Sequence, residues 1–301
     1  MKPKLEIRIE ATREVDIVGS IVLYKTNPSE VMRAVSQFSA ISGSTHLCII
    51  DNSPTPVWEP RPHETSISYL HVGANIGYGR AHNIAIKAAT AIRAKYSLIM
   101  NTDVWYEPES VLKLKQCLDE RLSAGLAAPR ICYPDGSLQY VCRLLPTPMN
   151  LFLRRFLPNS GLVRRSDWRY EIRWWDHECT ANIPYFQGSF LMIRTALLEK
   201  LGGFDERFFL YGEDVDLCRR IHAESETLYV PHATVRHAYR RYSSRAFRGT
   251  WYGIQNNIRY FNKWGWFVDT ERGKVNREAE ERLRRGIVGG SRECGAGTRW
   301  D

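Results

Sequence analysis

The stretch 96-YSLIMNTD-103 is a short, mostly apolar run that halts at Asn101-Thr102-Asp103. A run this short and this continuously apolar predicts a strand covered on both faces, as in a parallel sheet flanked by helices. Two earlier stretches repeat the pattern: 17-IVGSIVLY-24 stops at Lys25-Thr26-Asn27-Pro28, and 46-HLCII-50 stops at Asp51-Asn52-Ser53-Pro54. Helical patterns lie between them. One opens at Pro28-Ser29 with Val31, Met32, Val35 and Phe38 on one face; another, from about Ala81 to Lys95, carries Ile84, Ile86, Ala88, Ala89 and Ile92. With a further short strand at 67-ISYLHV-72, the order is strand, helix, strand, strand, helix, strand. That order predicts an α/β fold with a Rossmann-like, mostly parallel central sheet, whose ligands bind at the C-terminal ends of the strands.

The second half of the chain is less regular. Residues 108–125 read as a helix, and 130-RICYPDGSLQYVC-142 reads as a hairpin about Asp135-Gly136, placing Cys132 opposite Cys142. Residues 150–176 interleave Arg154, Arg155, Arg164, Arg165, Arg169 and Arg173 with Leu151, Phe152, Phe156, Trp168, Trp174 and Trp175. Regular patterns resume at 185-YFQGSFLMIR-194, a helix from Thr195, a helix from Glu213, a strand at 227–237 and an aromatic, basic helix through 251–264. The chain divides into a first half, 1–130, a second half, 131–268, containing the insertion at 150–176, and a charged, Gly-rich tail, 269–301, expected to fray.

The chain has 301 residues, 44% hydrophobic and 25% charged, which excludes collagen-like, low-complexity and mostly disordered classes. Its net charge of +9 favours an anionic partner: a phosphorylated small molecule, a membrane surface or a nucleic acid. Seven cysteines without a CxxC pair suit a reducing compartment. The charged start, MKPKLEIRIEATREVD, has no signal-peptide core, and no apolar run approaches the roughly 18 residues that cross a bilayer. A cytoplasmic or membrane-peripheral protein is expected.

Several residues could carry chemistry, each with a plainer reading beside it. Asp103 at its strand end either ligates a hard divalent cation holding a diphosphate or turns the chain. Asp51 either accepts a hydrogen bond from a pyrimidine imide or closes an Asx-turn. In 75-NIGYGRAHN-83 the glycines permit close backbone approach ahead of a helix N-terminus that favours phosphate, with charge from Arg80 and His82; the alternative is a capped turn. His237 is a metal ligand or a hydrogen-bonded structural residue. In 208-FFLYGEDVDLCRR-220, Glu213, Asp214 and Asp216 favour the positive end of a helix, which leaves the aromatic approach unexplained.

Taken together, Ser20-Ile21-Val22-Leu23-Tyr24, Ile49-Ile50-Asp51-Asn52-Ser53, Asn75-Ile76-Gly77-Tyr78-Gly79 with Asn83, and Asn101-Thr102-Asp103 resemble the family-2 inverting glycosyltransferases of GT-A fold. The resemblance continues through Gln187-Gly188-Ser189-Phe190, Gly203-Phe204-Asp205-Glu206-Arg207-Phe208-Phe209 and Glu213-Asp214, and spans about residues 16–266. Asp135-Gly136, Gln139, Arg143, Pro146-Thr147 and Arg259-Tyr260-Phe261 near Lys263 resemble the rhamnosyltransferase branch.

The resemblance implies roles. Tyr24, Asp51, Asn75, Gly77, Arg80, Asn83, Asn101 and Asp103 would contact the nucleotide-sugar donor. Asp103, last residue of the family's DxD element with Asn101 in the first position, would ligate Mg²⁺ or Mn²⁺ with His237. Asp214 would be the catalytic base, and Gln187, Gly188 and Glu213 would line the acceptor side, with 208–211 as an aromatic wall for the acceptor sugar. The expected reaction moves L-rhamnose from dTDP-L-rhamnose onto a hydroxyl of a bacterial surface-glycan or lipid-linked acceptor. A UDP-sugar donor is the alternative. The insertion at 150–176 would lie on the inner face of the plasma membrane or form a solvated loop. A nucleic-acid binder, prompted by the charge, needs no Glu213-Asp214 motif, and a nucleotidyltransferase would want a glycine-rich loop after the first strand. No nucleic-acid partner is expected.

Overall fold

A computed structural model describes residues 5–9, 14–60, 65–151, 160–238 and 247–288. Strands β1 (Ile17–Leu23), β2 (Thr45–Asp51), β3 (Ile67–His71) and β4 (Tyr96–Met100) form the parallel half of the central sheet, in the order β3-β2-β1-β4. Next come β10 (Phe190–Arg194), antiparallel to both neighbours, then β6 (Ala124–Cys132), β11 (Glu226–His237) and the edge strand β5 (Val104–Tyr106). β8 (Ala181–Asn182) adds to β11, while β7 (Cys142–Arg143) and β9 (Tyr185–Phe186) form a separate small sheet. β11 slips register between Val230 and Thr234, where Pro231 has no N–H to donate to the ladder.

Helices cover both faces, as the continuous apolar strands require. α1 (Pro28–Ser39) starts where Asn27 Oδ1 accepts from the Ser29 N–H at 3.0 Å, with Pro28 in the first turn. Its Phe38 lies so close to β1 that a Cβ on Gly19 would stand 2.3 Å from the ring. α3 (Pro108–Glu120) joins it, and Val31, Val35, Phe38, Val111, Leu114 and Leu118 pack one face of the sheet. Across the sheet, α2 (Tyr78–Ala91), α5 (Thr195–Leu201) and α6 (Glu213–Glu224) bury Ile86, Leu198, Val215, Leu217 and Ile221. The mixed α/β fold with its mostly parallel sheet is as expected.

Two expectations need correction. Asp135-Gly136 does turn the chain, but no hairpin continues beyond it: Cys132 meets Leu138 in a single bridge, and the chain leaves to pair β7 with β9. β6 is already paired with β10 and β11, so it has no free edge for a returning strand. Cys132 and Cys142 are free thiols.

The segment after 269 does not simply fray either. Thr270–Val288 is a helix, α8, following α7 (Phe247–Trp264). Asn276 brackets Leu145, accepting from its N–H at 2.8 Å and donating to its carbonyl at 2.9 Å. Glu280 takes both arms of Arg169 at 2.7 Å, and Ala279 and Leu283 are buried. Residues 289–301 lie outside the described residues.

Within 150–176, Arg154, Arg155, Phe152 and Phe156 likewise lie outside them. The remainder forms α4 (Gly161–Tyr170), capped by Ser160. Here Trp175 is core, Arg173 pairs with Glu171, and Leu162, Arg164, Arg165 and Trp168 face solvent. Among the described residues, no helix is long and apolar enough to cross a membrane.

Candidate active site

The sheet's C-terminal edge gathers residues from both halves of the chain. Beyond β4, Asn101 donates its N–H to the Ser189 carbonyl at 2.9 Å, fastening the strand end to the loop before β10. Two residues on, Asp103 lies beside the end of β11, because β5 and β11 pair His237 with Val104. Asp103 Oδ1 stands 3.2 Å from His237 Nε2, and the imidazole is buried.

Gln139 fixes how that ring faces. Its amide nitrogen donates to the His237 carbonyl at 2.6 Å, which turns its oxygen toward Nδ1, 3.2 Å away. With Nδ1–H donating to that oxygen, the Nε2 lone pair is left for a cation beside the Asp103 carboxylate. Two electron-pair donors held this close fit adjacent positions around one small cation, with Gln139 orienting the imidazole from behind. Among the described residues no group of three or more His, Cys, Asp or Glu side chains stands ready for a metal. A cation here would complete its shell from diphosphate oxygens and water, as Mg²⁺ commonly does.

Asp214 approaches from the other side. It opens α6 after Tyr211 and Gly212, both with left-handed backbone (φ 70° and 91°). For Tyr211 that conformation costs about 1–2 kcal/mol. Asp214 Oδ2 accepts from the Tyr185 hydroxyl at 3.0 Å and from the Gly188 N–H at 3.2 Å, while Oδ1 accepts from the Val215 N–H at 2.8 Å. A Cβ on Gly188 would sit 2.9 Å from Asp214 Cβ, so glycine is what lets the aspartate in.

The three neighbouring acids part ways. Asp216 is fully buried and holds Arg220, Lys263 and the Trp264 indole. Glu213 is 5% exposed, and its Oε2 has no hydrogen-bond partner. Burial first, and the Asp214 charge second, push its carboxyl well above the ordinary range.

Tyr78 joins the two walls, and the sequence reading assigned it no role. Its hydroxyl lies 2.9 Å from both Asn101 Oδ1 and the Gly188 carbonyl, donating its one proton between them. Burial, followed by the charges of Glu213, Asp214 and Asp103, raises the phenol well above its usual range, so it stays protonated. One hydroxyl thus feels the acids of both walls. The only sequence signal was its place between the glycines of 75–79.

The donor-side candidates divide. Tyr24, 48% exposed, stands at the end of β1, and Asn75 is exposed on the loop whose turn it closes by accepting from the Gly77 N–H at 3.0 Å. Gly77 has φ 96°, and a Cβ there would come within 2.6 Å of the Phe209 carbonyl. Asn83, by contrast, faces away from the cleft: its amide donates to the Phe204 carbonyl at 2.8 Å and accepts from the Phe204 N–H at 2.8 Å, clamping the 203–206 turn. Arg80 pairs with Glu206 at 3.5 Å. His82 is buried and hydrogen-bonded to Ser20, its pKa pushed down by burial to about 3, so it supplies no charge for a phosphate.

Asp51 is 0% exposed, its carboxylate taken up by the Ser53 and Val57 N–H groups and the Tyr69 hydroxyl. The Asx-turn reading describes it. On the acceptor side, Gln187 contributes backbone bonds with Val141 and Ser189. The expected aromatic wall is also different: Phe208 is core and Phe209 packs on Tyr252 at 4.6 Å, leaving Tyr211 as the member that reaches solvent.

Comparison with known proteins bears on this edge. No family model matches the chain. It is 32% identical over 219 residues to the N-acetylglucosaminyl-diphospho-decaprenol L-rhamnosyltransferase of Mycobacterium tuberculosis, covering 68% of this chain and 67% of that protein. The chain belongs to the rhamnosyltransferase-like family-2 glycosyltransferases. This glycosyltransferase is also 24% identical over 219 residues to a low-salt glycan biosynthesis hexosyltransferase of Haloferax volcanii, covering 72% of this chain and 65% of the other. Its fold is similar to that of a mannosyltransferase from Pyrobaculum calidifontis in complex with GDP-Man and Mn²⁺ (TM-score 0.53, 14% identity, 99% and 80% coverage). The glycosyltransferase therefore has the GT-A fold.

Proposed function

We propose that this glycosyltransferase moves L-rhamnose from dTDP-L-rhamnose, in a metal-dependent and inverting reaction, onto a hydroxyl of a lipid-linked sugar acceptor at the cytoplasmic membrane surface. The observation that carries the reading is the pairing across one edge of Asp103 with His237 on one wall and Asp214 on the other, spanned by Tyr78. The curated relative supports the sugar and the lipid-linked acceptor through its name.

Asp103 and His237 would hold Mg²⁺ or Mn²⁺, which when bound takes up negative charge on the departing diphosphate. Asn101 and Tyr78 brace the strand end that presents Asp103. Asp214 accepts the proton of the attacking hydroxyl, its Oδ2 held by Tyr185 and Gly188. Attack from the wall opposite the leaving group inverts the anomeric carbon in one displacement. The protonated Tyr78 hydroxyl adds no charge between the two acids.

The direct test incubates the protein with Mg²⁺ or Mn²⁺ and a panel of dTDP-, UDP- and GDP-sugars, reading donor turnover and protection against thermal unfolding. dTDP-rhamnose should stand out; a UDP-sugar leading the panel overturns the donor assignment. Asp214→Asn should bind donor and lose transfer by about 10²–10⁴-fold. Full transfer by that variant removes Asp214 as the base.

A further inference from the structure

Beside the cleft, the loop around Arg207 and α7 enclose a second concavity of about 340 Å³, lined by Arg207, Phe208, Arg259, Asn262 and Lys263. Its charges do not cancel. Asp205 takes both arms of Arg207, at 2.9 and 2.6 Å, and Lys263 at 2.9 Å. Asp216, behind it, takes Lys263 at 2.6 Å and Arg220 at 2.9 Å. Two carboxylates thus stand behind the three cations that line the space, and Arg259 donates to the neutral Asn256 Oδ1 at 2.8 Å rather than to either carboxylate. The Arg259 guanidinium, bound to no carboxylate among the described residues and opening on a cavity with surplus positive charge, suits phosphate oxygens.

An apolar element adjoins it. Asn262 Oδ1 accepts from the Trp266 indole at 2.8 Å, and the next two residues, Phe267 and Val268, are 87% and 85% exposed. Gly265 makes that projection possible, with φ 99° and a Cβ position only 2.6 Å from the Val268 carbonyl. Ile258, next to Arg259, is also exposed. An anion cavity beside an exposed apolar tip matches an amphiphile that joins phosphate to hydrocarbon.

The cavity and the cleft share one loop. Phe208 lines the first, and the carbonyl of Phe209 accepts from the Tyr78 N–H of the second at 3.0 Å. Five residues after Phe208 the chain reaches Glu213-Asp214. We propose that the cavity lined by Arg207, Arg259 and Lys263 binds the diphosphate of a sugar-diphospho-lipid acceptor, with Phe267 and Val268 against its hydrocarbon. This assignment rests on the lipid-linked acceptor reading above. Its place next to the catalytic loop favours the substrate's own diphosphate over a bilayer headgroup.

The test compares kcat/KM for a sugar-diphospho-polyprenol with kcat/KM for a phosphate-free alkyl glycoside of the same sugar. Arg259→Gln should lower that ratio at least tenfold, through KM rather than kcat, and Arg259→Lys should restore part of it. An unchanged ratio, or equal loss on both acceptors, overturns the assignment. So does an unchanged ratio accompanied by weaker binding of Arg259→Gln to phosphatidylglycerol vesicles, which would give the cations to headgroups. If the wild type uses the phosphate-free glycoside and refuses the diphospholipid, the acceptor reading is what fails. Calorimetry with inorganic pyrophosphate then decides the cavity: binding lost in Arg259→Gln keeps an anion site there, and equal binding in both proteins removes it.

Discussion

Glu213 and Asp214 are adjacent acids with opposite surroundings. Asp214 is held by three donors, whereas Glu213 is buried with one oxygen unpartnered and its carboxyl held protonated. A carboxyl raised in the folded state favours folding fully below its unfolded value, 4.5 here, and loses that contribution as pH rises toward the folded value. Glu213→Gln keeps the neutral shape without the titration. Its thermal stability relative to wild type should therefore climb between pH 5 and pH 8, by at most about 1.4 kcal/mol per pH unit. A pH-independent difference in melting temperature would contradict a buried neutral Glu213. Gly188 offers a steric test at the same place. Gly188→Ala presses on Asp214, so kcat should fall about tenfold or more, with a lower melting temperature from the forced shift, since a displaced reactive group of this kind is costly to rate. These residues also show what the local sequence could convey. The acid cluster was visible as a helix start, but the fate of each acid depended on partners 26 to 48 positions away, at Gly188, Tyr185 and Trp264.

Elements with strong periodicity were legible. The parallel strands and the helices beginning near Pro28, Pro108 and Glu213 follow their apolar spacing and proline or acidic starts. Others were not: 108–125 reads as a helix although Ala124–Cys132 is strand β6, and α4, β5 and α8 do not read as elements. β5 is three residues long, too short for a pattern, and forms because β11 offers it an edge. α8 reads as a charged tail because only Val275, Ala279 and Leu283, spaced four apart, mark its inner face. That helix is held by specific side chains rather than by apolar area. Asn276→Ala leaves both the N–H and the carbonyl of Leu145 without their partner and should cost about 1–3 kcal/mol, seen as an earlier thermal unfolding midpoint. An unaltered midpoint would mean that α8 is not anchored there.

The whole molecule builds its cleft from two distant stretches of chain. Asp103 belongs to the first half, His237 and Asp214 to the second, and they meet because β10 inserts between β4 and β6 while β11 runs back toward β5. Donor affinity and chemistry should therefore separate. Asp103→Ala should abolish most of the Mn²⁺-dependent thermal protection given by dTDP-rhamnose, a loss of about tenfold or more in affinity, while Asp214→Asn retains it. Equal protection in Asp103→Ala and wild type would take Asp103 out of the cation site.

By itself, the sequence determined the α/β class, the strand end that bears Asn101 and Asp103, the helix start that bears Asp214, and the family, because strand and helix periodicity and short motifs are local properties of the chain. Only the tertiary structure decided which of the motif residues face the cleft. It turned Asn83, Arg80 and Asp51 to clamping loops, brought Tyr78 and Gln139 into the site, and set His237 against Asp103. The reason is that a polar side chain's role is fixed by whichever donors and acceptors the packed sheet brings within hydrogen-bond reach. Apart from Asp51, whose Ser53 and Val57 partners are local, those partners lie tens of residues away, at separations no local pattern encodes.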